Sequence, residues 1–258
     1  MKHKNLAITI SSVLFAAVLI AAGCLVCRVR VVTVSYSYLT AQTESELLQA
    51  KDRLNEYLGQ NILAVNKKKV SGFLSDNPYV KVVSVEVNLP GELIVNVEER
   101  AEHYFIVSDG GYYAVTSDRF ILARKDGNTP RNGSGPLAVI DGDVPTLTEN
   151  SQLLPTDELF LAAVQIIEAF EDCNNQLTSV TVDRFTEVGS VSTEWNRIVV
   201  HTKEGAVFTL TEALDLTDKK IALLKSSFNS LEGEDRVLGK FDISTGVNGT
   251  VVCDKSVI

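Results

Sequence analysis

The sequence predicts an α+β protein held behind an apolar N-terminal helix long enough to span a membrane. Three observations carry that prediction. Residues 6–26, LAITISSVLFAAVLIAAGCLV, hold no charged residue and would cover about 31 Å as a helix, the thickness of a bilayer core. Residues 79–101, YVKVVSVEVNLPGELIVNVEERA, read as two strands around a Pro-Gly turn. Between these stretches the apolar residues recur at helical spacing.

Lys2 and Lys4 precede the apolar run, and Arg28 and Arg30 follow it. Local charge is therefore nearly balanced, and we place the five-residue tail in the cytoplasm because large domains cross largely regardless of charge. Two other readings of this region stand beside the anchor. A cleaved signal peptide has a shorter apolar region and a small-x-small exit. The run IAAGC resembles a bacterial lipobox with Cys24 as the lipidated residue, although Ala21 stands where Leu is usual.

RVRVVTVSYS, residues 28–37, is the first strand candidate. Thr43 with Glu46 forms a capping box for a helix over 43–58, buried through Leu47, Leu54, Tyr57 and Leu58, with Gly59 as its left-handed stop. A shorter helix over 68–74 presents Val70, Phe73 and Leu74. In the hairpin, Val83, Val85 and Val87 are expected on one face, opposite Val82, Ser84, Glu86 and Asn88. Leu93, Val95 and Val97 alternate with Ile94, Asn96 and Glu98. Pro90 and Gly91 suit the turn, Pro by presetting φ and Gly by accepting a positive one. The order strand, helix, helix, strand, strand predicts helices on one face of a three-stranded sheet.

After residue 101, strands are expected around the Asp109-Gly110-Gly111 and Ser117-Asp118 turns. Residues 125–136, KDGNTPRNGSGP, read as an exposed loop before the strand LAVIDG. A helix follows Pro155, buried through Leu159, Ala162, Ala163, Ile166, Ile167 and Phe170. Strands are expected at 177–184, 197–202 and 206–210. A second helix over 217–231 buries Ile221, Leu224, Phe228 and Leu231, and strands near 239–244 and 250–253 end the chain.

Of the 258 residues, 45% are hydrophobic, which supports real cores, and the net charge of −9 disfavours nucleic acid and anionic lipid surfaces as partners, since both would repel it. Signs of catalysis are sparse. His3, His103 and His201 lie far apart, and the chain has no G-x-S-x-G, P-loop or G-x-G-x-x-G. DGD at 141–143 lacks calcium-loop spacing. Glu98 and Glu99 are adjacent in a strand and so point to opposite faces. Cys24 and Cys27 lack the second pair of a metal site, and Cys173 and Cys253 could pair in an oxidising compartment. We expect no enzyme, no metal and no cofactor.

The segments GQNILAVN (59–66), NPYVKVVSVEVNLPGELIVNVEERA (77–101), GYYAVTSDRFIL (111–122), LAVIDG (137–142), EGAVFTL (204–210) and GKFDIS (239–244) resemble the FtsQ/DivIB family of bacterial cell-division proteins. The proline-turn hairpin ending in Glu99-Arg100 is the most specific of them. The chain departs from the family at Thr211, where Gly is common, and at Ser117-Asp118-Arg119, where Asp-x-x-Gly is commoner. The resemblance implies a cytoplasmic tail (1–5), a transmembrane helix (6–27), a POTRA domain (28–101) and a β domain with two helices and C-terminal strands (102–258). It also implies a non-enzymatic scaffold at the division septum, bridging small bitopic coiled-coil proteins of the FtsB/DivIC and FtsL types to septal peptidoglycan synthesis. The partner would add a strand to the C-terminal sheet edge, with Phe241, Ile243, Thr245 and Val251 as expected contacts. The alternatives are a lipid-anchored binding protein using Cys24 and a POTRA-containing secretion or assembly subunit.

Overall fold

The computed structural model describes residues 13–15, 27–171, 176–187 and 193–256. The expected anchor, Cys24 and Cys173 lie outside these residues, apart from a helical Val13–Phe15 and from Cys27. Among the described residues no helix is long and apolar enough to cross a membrane. The chain divides into two compact units, 1–100 and 101–258.

In the first unit β1 (Val31–Ser35) pairs parallel with β3 (Glu92–Glu99), which pairs antiparallel with β2 (Val80–Asn88). Helices α1 (Ala41–Leu54) and α2 (Lys67–Ser75) cover this sheet. Leu47, Leu54, Tyr57, Ile62, Val70, Leu74, Leu93, Val95 and Val97 form the core. The element order is the expected one, and the details differ in ways that have physical causes.

The cap of α1 is Thr40, three residues before the predicted Thr43, and the reason lies in the hairpin. Glu99, at the end of β3, accepts hydrogen bonds from the Thr40 amide (2.6 Å), the Thr40 hydroxyl (2.8 Å) and the Thr43 hydroxyl (2.6 Å). A carboxylate thus sits on the positive end of α1, and Thr43 is fully buried as its donor. Glu46, the expected box partner, instead accepts from Asn77 Nδ2 at 2.7 Å. Arg100 then donates to the Pro78 carbonyl at 2.8 Å. The Glu99-Arg100 pair therefore locks helix, strand and hairpin base together.

α1 ends at Leu54, tightens to a 3₁₀ turn over Asn55–Tyr57 and leaves Leu58 exposed. Gly59 is left-handed, with φ 82°, but it lies past that turn and donates to the Val29 carbonyl. Val83 does not share a face with Val85. The register runs Val82↔Val97 and then Ser84↔Asn96, so Val83 is the extra residue of a β-bulge and is exposed. Gly91 is needed for space rather than for a positive φ. A Cβ there would stand 2.5 Å from the Arg28 carbonyl oxygen, because the hairpin tip packs directly on the chain entering β1.

The second unit is built on one ten-stranded sheet. Its strands are β4 (Tyr104–Ser108), β5 (Gly111–Val115), β6 (Phe120–Lys125), β7 (Val139–Gly142), β8 (Ser151–Gln152), β9 (Leu177–Glu187), β10 (Thr193–Thr202), β11 (Val207–Thr211), β12 (Lys240–Thr245) and β13 (Val251–Lys255). Their spatial order is β13-β12-β11-β10-β9-β7-β4-β5-β6-β8. The two-residue β8 was not foreseen. Helices α3 (Glu158–Ala169) and α4 (Thr217–Ser230) match the expected pair, and a short third helix, α5 (Gly233–Leu238), corrects the count of two. Phe160, Ile166, Phe170, Leu224 and Phe228 share the core with Ile140, Val180, Val200 and Phe208.

Residues 125–136 form the expected largely exposed loop, pinned at a few points. Lys125 bridges to Glu102 at 3.1 Å, the Glu102 carboxylate is 2% exposed, and it also accepts the Arg131 amide at 2.7 Å. Pro130 is buried, and the Lys125 ammonium lies 5.4 Å from the ring of fully buried Phe105.

Candidate protein-binding edge

β11, β12 and β13 bring the expected contact residues to one end of the sheet. β12 is parallel to β11 and antiparallel to β13, with Phe241↔Lys255, Ile243↔Cys253 and Thr245↔Val251 as cross-strand pairs. Residues opposite one another share a face. That face is the core, and it draws Phe241 and Ile243 inward.

Phe241 is 8% exposed and stacks on Phe208 at 5.0 Å between ring centres, while Ile243 is fully buried. Both side chains therefore face the core, and neither is presented at the surface of this structure. Val251 and Cys253 pack partly on the same core, and Cys253 is a free thiol. Thr245 ends β12, donating from its hydroxyl to Asp215 at 2.5 Å.

The accessible feature is the backbone of β13. The Gly246 amide donates to Thr250 and the Ser256 amide to Lys240. Even-numbered residues of this ladder therefore exchange the bonds between β12 and β13. The amide and carbonyl groups of Val251, Cys253 and Lys255 point the other way, out of the sheet. Among the described residues β12 is the one strand paired with β13. The result is an open edge five residues long.

What holds that edge in place was not visible in the sequence. Between β11 and α4 the chain makes a turn with two left-handed non-glycine residues, Glu212 (φ 50°) and Leu216 (φ 53°). Lys220, fully buried, donates from its ammonium to the carbonyls of Thr211 (2.8 Å) and Glu212 (2.7 Å). Burial pushes its pKa below the ordinary value, and the nearby Asp215 and Glu212 carboxylates push back. The turn then holds Asp215 for Thr245. Lys255 pairs with Asp235 on α5, and Arg236 pairs with Glu204 while covering the Phe228 ring at 5.3 Å.

Two of the histidines noted in the sequence, His103 and His201, lie apart in the second unit. His201 is exposed on β10, and His103 lies 3.3 Å from Glu171. Among the described residues no three His, Cys, Asp or Glu side chains converge as metal ligands would. A cleft of about 230 Å³ lies between Pro145–Thr148, Ser151–Thr156 and Phe160. Its lining contains no titratable group.

Comparison with known proteins bears on the first unit. Residues 29–100 match the family described as "POTRA domain, FtsQ-type", with boundaries that coincide with the β-α-α-β-β unit. Residues 29–100 are thus similar to the POTRA domain of FtsQ-type cell-division proteins. A relative, "Cell division protein DivIB" of Clostridium tetani (strain Massachusetts / E88), is 27% identical over 66 residues. That match covers 26% of this chain and 25% of the relative, so the chain spans about a quarter of the length of the curated relative it matches. The hairpin, the Glu99 clamp and the bulge lie within the matched residues, whereas the second unit rests on its own geometry.

Proposed function

We propose that this protein is a member of the FtsQ/DivIB family and a membrane-anchored, non-enzymatic scaffold of bacterial cell division. Its POTRA domain and β domain lie outside the cytoplasmic membrane, and it gathers small bitopic coiled-coil proteins of the FtsB/DivIC and FtsL types at the septum. The single observation supporting this most strongly is the open edge of β13 in a chain that carries an FtsQ-type POTRA domain. An unpaired edge offers a row of donors and acceptors that an extended peptide completes, with alternate side chains setting specificity. Val252 and Asp254, on the face opposite the core, and the outward amides of Val251, Cys253 and Lys255 are the groups we assign to that contact.

The test is capture of the detergent-solubilised full chain from its native membrane. Two small single-pass coiled-coil proteins are expected with the wild-type chain and lost with Cys253→Pro, which removes one outward amide. Partners that survive the substitution would move the surface away from β13. A lipidated N-terminus with no such partners would replace the scaffold by a lipid-anchored binding protein.

A further inference from the structure

The first unit places an unusual set of exposed residues around the point where the chain leaves the apolar segment. Cys27 directly follows residues 6–26 in sequence, and two loops grip the chain there. On one side the Ile62 amide donates to the Cys27 carbonyl (2.8 Å), the Val29 amide to Gln60 (2.9 Å) and Gly59 to Val29 (2.8 Å), while Arg28 pairs with Asn61. On the other side the Arg30 amide donates to the Gly91 carbonyl at 2.7 Å. Each loop exposes leucine: Leu58 (46%) and Leu63 (71%) on the first, Leu89 (63%) at the hairpin tip. Exposed apolar side chains converging on one end of a small domain mark an interaction surface.

The charges beside them are mostly basic, with Glu56 and Glu92 as the acidic exceptions. Arg28 and Arg30 are exposed, and so are Lys67, Lys68 and Lys69 just beyond the Ile62–Ala64 turn. These lysines occupy the first turn of α2, which holds no acidic residue. Cations at the positive end of a helix work against its dipole, where carboxylates are favoured. They stand there at a cost to the helix and form a local basic patch in a chain whose net charge of −9 otherwise disfavours anionic lipid surfaces.

We infer that this collar docks the POTRA domain onto the membrane surface, its leucines entering the interface and its five cations meeting anionic phospholipid headgroups. Leucines at the headgroup boundary with flanking lysines and arginines are the arrangement that binds anionic bilayers. Long basic side chains reach the phosphates while the domain stays in water. Docking sets the domain at a defined height, so the inference rests on the membrane-anchored reading above.

The test uses the full chain reconstituted into bilayers with brominated acyl chains, either phosphatidylglycerol or phosphatidylcholine. Leu63→Trp adds a probe to the native Trp195, whose own quenching in the wild-type chain sets the baseline. Val83→Trp, on the bulge about 20 Å along the strand from Leu89, is the comparison probe. Quenching of the tryptophan at 63 in phosphatidylglycerol, absent at 83 and reduced to the phosphatidylcholine level by Lys67→Glu with Lys68→Glu and Lys69→Glu, is the expected result. Equal emission at 63 in both lipids, from chain that resists alkaline extraction, overturns the collar and leaves the anchor standing. Chain that washes off the bilayer overturns both.

Discussion

At one end of the ten-stranded sheet β8 contributes only Ser151 and Gln152, between Pro145 and Pro155. At the other end β13 contributes five residues with three outward amides. Short strands and nearby prolines are how folded proteins prevent their sheets from recruiting other chains. Among the described residues the strand at one end is thus too short to recruit much, while the strand at the other end presents a five-residue outer edge. The free edge is also the better supported: Phe241, Ile243 and Phe208 lie beneath it, α4 packs on its face, and the buried Lys220 closes the turn behind it. That asymmetry argues for an edge kept rigid for a partner.

The largest way to break the comparison is from below. Phe241→Ala should destabilise the second unit by about 3–5 kcal/mol through loss of buried area and of the Phe208 stack. The measurement is denaturant unfolding followed by Trp195, which reports the second unit.

Sharper is a proline pair on β13. Val252→Pro removes an amide that bonds Ser244 and should cost about 2–3 kcal/mol. Cys253→Pro removes an outward amide and should leave the Trp195 transition within about 1 kcal/mol of wild type, since prolines are tolerated at free edges. Gln152→Pro on β8 should leave partner capture unchanged.

Glu99→Ala tests the independence of the two units. It strips three hydrogen bonds from the α1 start and should cost the POTRA domain about 2 kcal/mol. Amide exchange across α1 should accelerate while the Trp195 transition stays where it was.

The smallest effect is expected at Tyr104. Its hydroxyl is buried without a hydrogen-bond partner among the described residues, so Tyr104→Phe should change stability by less than about 1 kcal/mol at neutral pH. Burial, with Glu168 and Glu171 nearby, raises the Tyr104 pKa well above 10. Above pH 10 the unfolded chain loses this proton while the folded chain keeps it. The tyrosine contribution therefore declines as pH rises past 10, and the phenylalanine variant should show a shallower alkaline loss.

The legible and illegible parts of the molecule divide along the range of their causes. Period-2 valines and the Pro-Gly turn announced the first hairpin, and the stripe from Leu159 to Phe170 announced α3, because each pattern reports a local face. The bulge at Val83 was foreshadowed only by the parity change between Val80, Val82 and Val85, Val87. Thr40 as cap could not be read, since the group that decides it, Glu99, arrives from 59 residues away. β8 has two residues and hence no period.

At the edge, Phe241 and Ile243 lie two residues apart in β12 and so share one face. Which face is the core follows from α4 packing, and which amides point outward follows from the 246–250 turn. Neither is a local property.

The account turns on the outward amides of β13. The direct measurement is hydrogen exchange at Val251, Cys253 and Lys255 in the full chain, purified with the small bitopic proteins proposed above as partners and again after they are stripped away. Slow exchange at these three amides in the complex, fast exchange without it, and no change at Ser151 and Gln152 is the predicted result. Unchanged exchange at Val251, Cys253 and Lys255 with partners bound would contradict strand addition at this edge.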